Sequence, residues 1–508
     1  MSLSRSVCSL LVAGLLCKFI GLFYRVPLSY LLGAEGIGLY QMAYPVFAVA
    51  AIVAAGGLPL AMAKHMAEHL AVGKNEAAWH LFQVGRLLLW AQGLMLGTIF
   101  YHLAPILATR VLGDPRSELA LKALAPAVFL LCVEGSLRGY FQGRQQHVVL
   151  AKAQAFEQLC RVGTMLILAF LLLPYGLEYA AAGATAGAAG GALGAVILLQ
   201  AHFRPELGAG SQPRLGNWYK SAQLLQHFAV PVMLGSFVMP VMQMVDAAIV
   251  PLRLQAGGVS VREATALFGQ HAGMALSLVG LPTVATAALA TTLVPDLAAA
   301  SARGDKVMVA GRVSQALKLT VTLATPAAVG LFALAEEICQ VLFGTPEAAI
   351  PLRWLAFGTV GLCLMETNSA LLHALDQGRW AALAIFVGGV VNASIDYYVC
   401  ALPAFNIRGA ALGTGLGFTV AAFLTLGSLR KCVPGFWNPG IILFPLLASL
   451  LMVPAVRWAL VFGLGQGWPL AGALFWAVGI GIVCYGLLAY SVGLFEASVF
   501  RLPPDKFL

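Results

Sequence analysis

Four basic residues stand in or beside long apolar runs of the sequence. Lys18 and Arg25 lie within the first run, seven positions apart and therefore on one face of a helix. Lys64 closes the stretch Leu-Pro-Leu-Ala-Met-Ala-Lys, and Arg253 closes Val-Pro-Leu-Arg. A cation in hydrocarbon is costly and marks a functional position by default. Gathered around one cavity, the four suit an anionic substrate. The planar guanidinium suits phosphate in particular, through paired hydrogen bonds. The alternative for each is snorkelling to the membrane interface. Acids are scarcer. Asp246 lies in Met-Gln-Met-Val-Asp, and Asn392 and Asp396 lie four apart on one helix face. These three supply the hard oxygens that a small cation prefers; the other reading is protonated, structural carboxylates. Glu134 and Arg138, also four apart, read as a local ion pair.

Other chemistries are missing from the sequence. No phosphate-binding glycine loop, nucleotide motif or nucleophile–base arrangement is present, so the chain does not read as an enzyme. The nine cysteines include no Cys-x-x-Cys pair and sit mostly in apolar runs, as small packing residues do.

The elements that must position these residues follow from composition. Of 508 residues, 60% are hydrophobic and 10% charged. A soluble domain has roughly 25% charged residues, so the solvent here is the bilayer. The pattern predicts an all-α polytopic membrane protein of about fourteen helices. The expected spans are 7–32, 38–63, 81–108, 119–141, 150–173, 178–201, 224–252, 269–296, 313–335, 351–375, 380–402, 409–429, 440–463 and 469–493. The first is long enough to span and is expected to stay, so no cleaved signal peptide is expected. Lys and Arg concentrate in one set of alternate connections, which places both termini in the cytoplasm and the 109–118 and 336–350 connections outside. The net charge of +9 belongs to these flanking loops, so no nucleic-acid partner is expected. Lys64–Gln83 and Ala298–Leu317 read as interfacial amphipathic helices.

An internal repeat is also legible. Leu137–Arg144 resembles Leu372–Arg379 at an offset of 235 positions, with a shared Gln-Gly-Arg end. Ala181-Ala-Gly183 matches Ala411-Leu-Gly413, and Leu58-Pro59 matches Val294-Pro295. The chain therefore reads as a six-helix half over 1–215, a second over 216–435, and two further helices in 436–508. Transporters of this plan hold substrate between halves that rock.

Several stretches carry a family resemblance: Phe19-Ile-Gly-Leu-Phe-Tyr-Arg-Val-Pro27, Leu32-Gly-Ala-Glu-Gly-Ile-Gly-Leu-Tyr-Gln41, Gly57-Leu-Pro-Leu-Ala-Met-Ala-Lys64, Arg138-Gly-Tyr-Phe-Gln-Gly143 and Ile407-Arg-Gly-Ala-Ala411. The chain resembles the stage V sporulation protein B-like transporters. These belong to the multidrug/oligosaccharidyl-lipid/polysaccharide exporter superfamily and are similar to MurJ-type lipid II flippases. The resemblance implies flipping of an undecaprenyl-diphosphate-linked saccharide across the cytoplasmic membrane in cell-wall synthesis, with membrane lipids around it and cell-wall synthases as partners. It implies that Lys18, Arg25, Lys64 and Arg253 engage the diphosphate. It implies coupling to sodium or to protons, with the ion at Asp246, Asn392 and Asp396 and with Thr414 joining. It also implies that the last two helices form a groove for the polyprenyl tail. The alternatives are export of another polysaccharide, teichoic or capsule precursor, or cation-coupled multidrug antiport.

Overall fold

The computed structural model describes residue 21 and residues 24–204, 218–433 and 440–491. Among the described residues the regular secondary structure is entirely helical. In lipid no water is available to satisfy backbone groups, and a helix satisfies its own. The chain forms two compact units, Met1–Gly269 and Gln270–Leu508.

The first unit contains α1 (Arg25–Ala55), α2 (Leu58–Ala71), α3 (Asn75–Ile106, prolonged by a π-helical turn), α4 (Ser117–Gly143), α5 (His147–Leu172), α6 (Leu177–His202), α7 (Trp218–Ser236), α8 (Val238–Ala256) and α9 (Val261–Phe268). A π-helical stretch, Gly269–Ala275, leads into the second unit. There follow α10 (Leu276–Val279), α11 (Leu281–Ala302), α12 (Lys306–Ala333), α13 (Ala335–Phe343), α14 (Ala349–Ala356), α15 (Gly358–Ala374), α16 (Gly378–Val399), α17 (Ile407–Cys432), α18 (Gly440–Gly465) and α19 (Leu470–Ser491).

Eleven helical runs among the described residues are long and apolar enough to cross a bilayer, and two bent pairs raise this to thirteen. Arg25–Ala71 counts once, yet as one helix its 47 residues would extend about 70 Å, twice the hydrocarbon thickness. It is divided at Gly33, whose φ of 64° and ψ of −176° suit glycine alone. It is divided again at Gly57, where a β-carbon would lie 2.3 Å from the Ala229 carbonyl oxygen of α7. With those breaks the fold is consistent with the expected fourteen spans. The bend of 53° between α7 and α8 falls between Leu234 and Val238. Pro240 has no N–H to offer the Ser236 carbonyl one turn back, which weakens the helix there.

Three expectations are corrected. The span expected at 269–296 begins earlier, at Val261, and its second part is α11, which runs on to Ala302. Arg262 and Glu263 at its start hid the first turns, and Ser260 caps them through the Glu263 N–H. Lys64–Gln83 and Ala298–Leu317 are not single interfacial helices. Each is a helix–turn–helix, turning at Gly73 and Gly304 with φ of 71° and 72°. The Gln-Gly-Arg match also pairs unlike positions: Gln142-Gly143 ends α4, whereas Gln377 caps α16 and Gly378 begins it. The turns themselves recur at a constant 231 positions, Gly73 with Gly304 and Gln145 with Asp376, all at positive φ.

Small residues set the helix spacing. On α6, Gly183, Gly187 and Gly191 face α5. A β-carbon at Gly187 would lie 2.8 Å from the Arg161 carbonyl oxygen, and one at Gly191 would lie 2.8 Å from Arg161 Cβ. Close backbone approach of this kind substitutes for the hydrophobic drive that lipid cannot provide. In the second unit, Met452, Val456, Ala459 and Leu460 of α18 pack on Ala473, Leu474, Ala477 and Tyr485 of α19. The Tyr485 hydroxyl donates to the Thr322 carbonyl at 2.8 Å, tying α19 to α12.

Candidate functional site

A polar cavity of about 270 Å³ opens in the first unit. Its lining is Gly21, Tyr24, Arg25, Tyr40, Gln41, Tyr44, Gln158 and Arg161. Arg25 begins the described part of α1, and Tyr40 and Tyr44 follow the break at Gly33. That break folds the second stretch of α1 back beside the first, so residues fifteen or more positions apart share one wall. The Tyr24 and Tyr40 hydroxyls are 3.4 Å apart, and the Tyr40 and Tyr44 rings are 5.7 Å apart. Arg161 enters from α5 and donates from Nη1 to the Tyr44 hydroxyl at 3.0 Å. Two guanidinium groups and three phenols in an apolar setting make a cavity for an anion: the cations neutralise its charge, and the hydroxyls add donors.

Of the basic residues singled out from the sequence, Arg25 lines this cavity. Lys64 and Arg253 do not, and Lys18 lies outside the described residues. Lys64 is half-exposed on α2, 3.9 Å from Glu68 and 4.5 Å from the centre of the Phe228 ring. Arg253 lies in the last turn of α8. Arg161 was missed because, within its own apolar run, it has Glu157 one turn earlier and reads as an ordinary surface pair. The Gly-rich face of α6 was the available signal that this side of α5 is buried.

Arg161 continues into a row of charges between α4 and α5. Its Nη2 donates to Glu157 Oε1, and Arg138 Nη2 donates to Glu157 Oε2 at 2.7 Å. Arg138 Nε in turn donates to Glu134 Oε1. The local pair expected at Glu134 and Arg138 is therefore present, as one part of a longer chain.

A second buried cluster ties α1, the 109–118 connection and α9 together. Asp114 is wholly buried. It accepts from Arg116 through the backbone N–H and Nε, both at 3.0 Å, from Nη2 at 2.7 Å, and from the Thr265 hydroxyl at 2.7 Å. Arg116 Nη1 also donates to Glu35. Burial alone would push the Asp114 carboxyl up, but the hydrogen bonds from Arg116 and Thr265 outweigh it and hold the group below its ordinary value. The helices meet at backbone distance: a β-carbon at Gly38 would lie 2.0 Å from the Thr265 carbonyl oxygen.

The acids fall in both units. Asp246 is half-buried in α8 of the first. Asn392 and Asp396 are buried in α16 of the second and share the face against α17. A β-carbon at Gly413 would lie 2.3 Å from Asp396 Oδ1 and 3.0 Å from Asn392 Oδ1, so the missing side chain makes room for both. Thr414 is buried next to them, 3.4 Å from Nε2 of the buried His271. His271 was not foreseen. It lies in the π-helical stretch, which aims side chains differently from the α-helix that the sequence pattern implies. Among the described residues no group of three or more His, Cys, Asp or Glu side chains is placed to hold a metal ion. An amide, a carboxylate and a hydroxyl fit a singly charged cation better than a divalent one.

An apolar cleft of about 510 Å³ runs between α11, α12, α18 and α19, with Pro282, Pro326, Gly330, Val456, Gly481 and Tyr485 in its walls.

Residues 3–300 match the family described as polysaccharide biosynthesis protein. The chain is 28% identical to stage V sporulation protein B of Bacillus subtilis (strain 168), over 84% of this chain and 83% of that one. It is 23% identical to the lipid II flippase MurJ of the same organism, over 96% of this chain and 95% of that one. Among solved structures, the fold is similar to a lipid II flippase MurJ in an inward closed conformation, with a TM-score of 0.71 at 15% identity, covering 96% of this chain and 99% of that one. It is also similar to an inward-facing multidrug resistance MATE transporter of the MOP superfamily, with a TM-score of 0.66 at 15% identity, covering 82% and 94%.

Proposed function

We propose a function from one premise: the chain belongs to the polysaccharide biosynthesis protein family. It is a flippase for a lipid-linked saccharide, and the group it grips is an undecaprenyl diphosphate. The observation that carries this reading is the pairing of Arg25 with Arg161 in a phenol-lined cavity. Both diphosphate charges meet a guanidinium there, while a cationic drug would be repelled. That charge argues against multidrug antiport. Lys18, Lys64 and Arg253 complete the basic path as the substrate moves.

The saccharide itself is lipid II or a related peptidoglycan precursor. The diphosphate is common to teichoic and capsule precursors, so specificity among them must come from the sugar. The apolar cleft of α11, α12, α18 and α19 takes the prenyl tail, which gains roughly 0.8 kcal/mol per buried methylene in any apolar surround and so needs shape rather than polarity. Asn392, Asp396 and Thr414 hold a coupling cation, sodium or a proton, Asp246 is a further carboxylate that serves the coupling, and no prosthetic group takes part. A bound ion shifts the transport equilibrium only through differential affinity for its states. Both termini are cytoplasmic, and cell-wall synthases consume the product outside.

The test is the leaflet accessibility of lipid II in cells depleted of this protein. Depletion is expected to trap lipid II inside; the wild-type gene restores export, and Arg25→Ala, inserted to the same level, does not. Normal export by Arg25→Ala would remove the cavity from the substrate path.

A further inference from the structure

The charges between α4 and α5 are bound in strict alternation, acid to base to acid to base, and of the four Arg161 lines the cavity. Glu134 is 2% exposed, and its Oε1 accepts from Arg138 Nε. Arg138 Nη2 donates to Glu157 Oε2 at 2.7 Å. Glu157 uses its other oxygen, Oε1, to accept from Arg161 Nη2. One carboxylate charge is therefore divided between two guanidinium groups. Charges so close, and away from bulk water, act on one another strongly. Whatever Arg138 takes of Glu157 is withheld from Arg161.

Packing does not require this row. The constant spacing of 231 positions that relates the turns pairs Glu134, Arg138, Glu157 and Arg161 with Met365, Ser369, Gly388 and Asn392. The helix crossing is alike in both units. A β-carbon at Gly191 would lie 3.0 Å from the Glu157 carbonyl oxygen and 2.8 Å from Arg161 Cβ. One at Gly417 would lie 2.7 Å from the Gly388 carbonyl oxygen and 3.0 Å from Asn392 Cβ. The second unit makes the crossing with no charge at any of the four places.

We infer that Glu134 and Arg138, which stand outside the cavity lining, are positioning residues: they set the strength of anion binding by deciding how Glu157 is divided between Arg138 and Arg161. This rests on the reading of the cavity as the diphosphate seat. Two consequences of opposite sign follow from the order of the row. Without the charge at 138, Glu157 pairs with Arg161 alone, holds its guanidinium back from the anion, and binding weakens. Without the charge at 134, Arg138 loses its other acid and draws Glu157 toward itself. Arg161 then faces the anion with more of its charge, and binding tightens. A row that only held two helices together could lose affinity when damaged but not gain it. Arg25 is common to every variant compared, so its own charge cancels from the comparison.

The full-length protein in detergent is titrated by calorimetry with a short-chain P1,P2-disubstituted isoprenyl diphosphate, at one pH and one salt concentration. Arg138→Gln is expected to bind about tenfold more weakly than the wild type, and Glu134→Gln about threefold more tightly. Glu157→Gln tests the path. In that background, adding either substitution is expected to change Kd by no more than about twofold, because the carboxylate that transmits both effects is gone. If Arg138→Gln fails to accumulate as folded protein, Glu134→Gln, which keeps the side-chain shape, decides the matter by its sign. Affinity unchanged or weakened in Glu134→Gln overturns the inference. Effects that persist at full size in the Glu157→Gln background show a through-space charge rather than a shared carboxylate, and overturn it as well. Both results leave the diphosphate seat standing. Failure of the wild type to bind the diphosphate overturns the seat and the inference together.

Discussion

If the cavity seats a diphosphate as proposed, arginine rather than lysine at its two basic positions sets the geometry of the grip. A guanidinium offers two parallel donors to a phosphate, and an ammonium offers a point charge. Arg25→Lys is therefore expected to keep the protein folded but weaken diphosphate affinity roughly tenfold, about 1.4 kcal/mol, read by calorimetry with the short-chain diphosphate. Unchanged affinity would mean that charge alone matters there. The glycine at 413 works the opposite way, by withholding atoms. Gly413→Ala puts a methyl 2.3 Å from Asp396 Oδ1, and the carboxylate must turn away. Transport compared in matched sodium and choline media is expected to lose its cation dependence in this variant, with diphosphate affinity unaltered. Retained dependence would take Asp396 out of the ion site.

At the level of elements, the network of Asp114, Arg116, Glu35 and Thr265 latches three segments that are far apart in sequence. Removing the charge of a buried, multiply bonded carboxylate leaves Arg116 poorly matched, at a cost on the order of 3 kcal/mol. Asp114→Asn is thus expected to lower the melting temperature of the detergent-solubilised protein. The pH dependence has a definite sign. The folded Asp114 titrates below its unfolded value, so its contribution is complete above the ordinary aspartate pKa of about 3.9 and is lost as pH falls through the lower, folded value. Melts at pH 7 and at more acid pH should diverge more for the wild type than for Asp114→Asn. Equal divergence would show that the latch contributes nothing to that acid sensitivity. Thr265 and Gly38 explain why the Leu32–Gln41 motif is rich in glycine: α1 and α9 cross with their backbones touching, and a side chain there would separate them.

For the whole molecule, the prediction concerns sidedness. Single cysteines placed in 109–118 and 336–350 are expected to react with an impermeant reagent added outside intact cells. Cysteines at the Gly73 and Gly304 turns are expected to react only after the membrane is opened. Labelling of those turns from outside would invert the topology and put Arg25 on the wrong path for export.

Apolar length was enough to establish a helical membrane protein, because the bilayer imposes one solution on any long apolar run. Arg25, Asn392 and Asp396 stood out for the same reason: a polar group in such a run is conspicuous on its own. The break at Gly33 falls where the first expected span ended, but Gly57 lay inside the span expected at 38–63. The turn at Gly73 was hidden inside a continuous amphipathic pattern that a helix–turn–helix satisfies equally well. Arg161 and Glu157 did not stand out, because one helix cannot reveal which neighbour covers it. Only the packing of α6 onto α5, and the return of α1 past Gly33, brought Arg161 to Arg25. Likewise, the oxygens at 392 and 396 were foreseen, but their convergence on Gly413 was not. Which groups stand across a cavity depends on contacts between distant segments, and no local spacing in the chain encodes those.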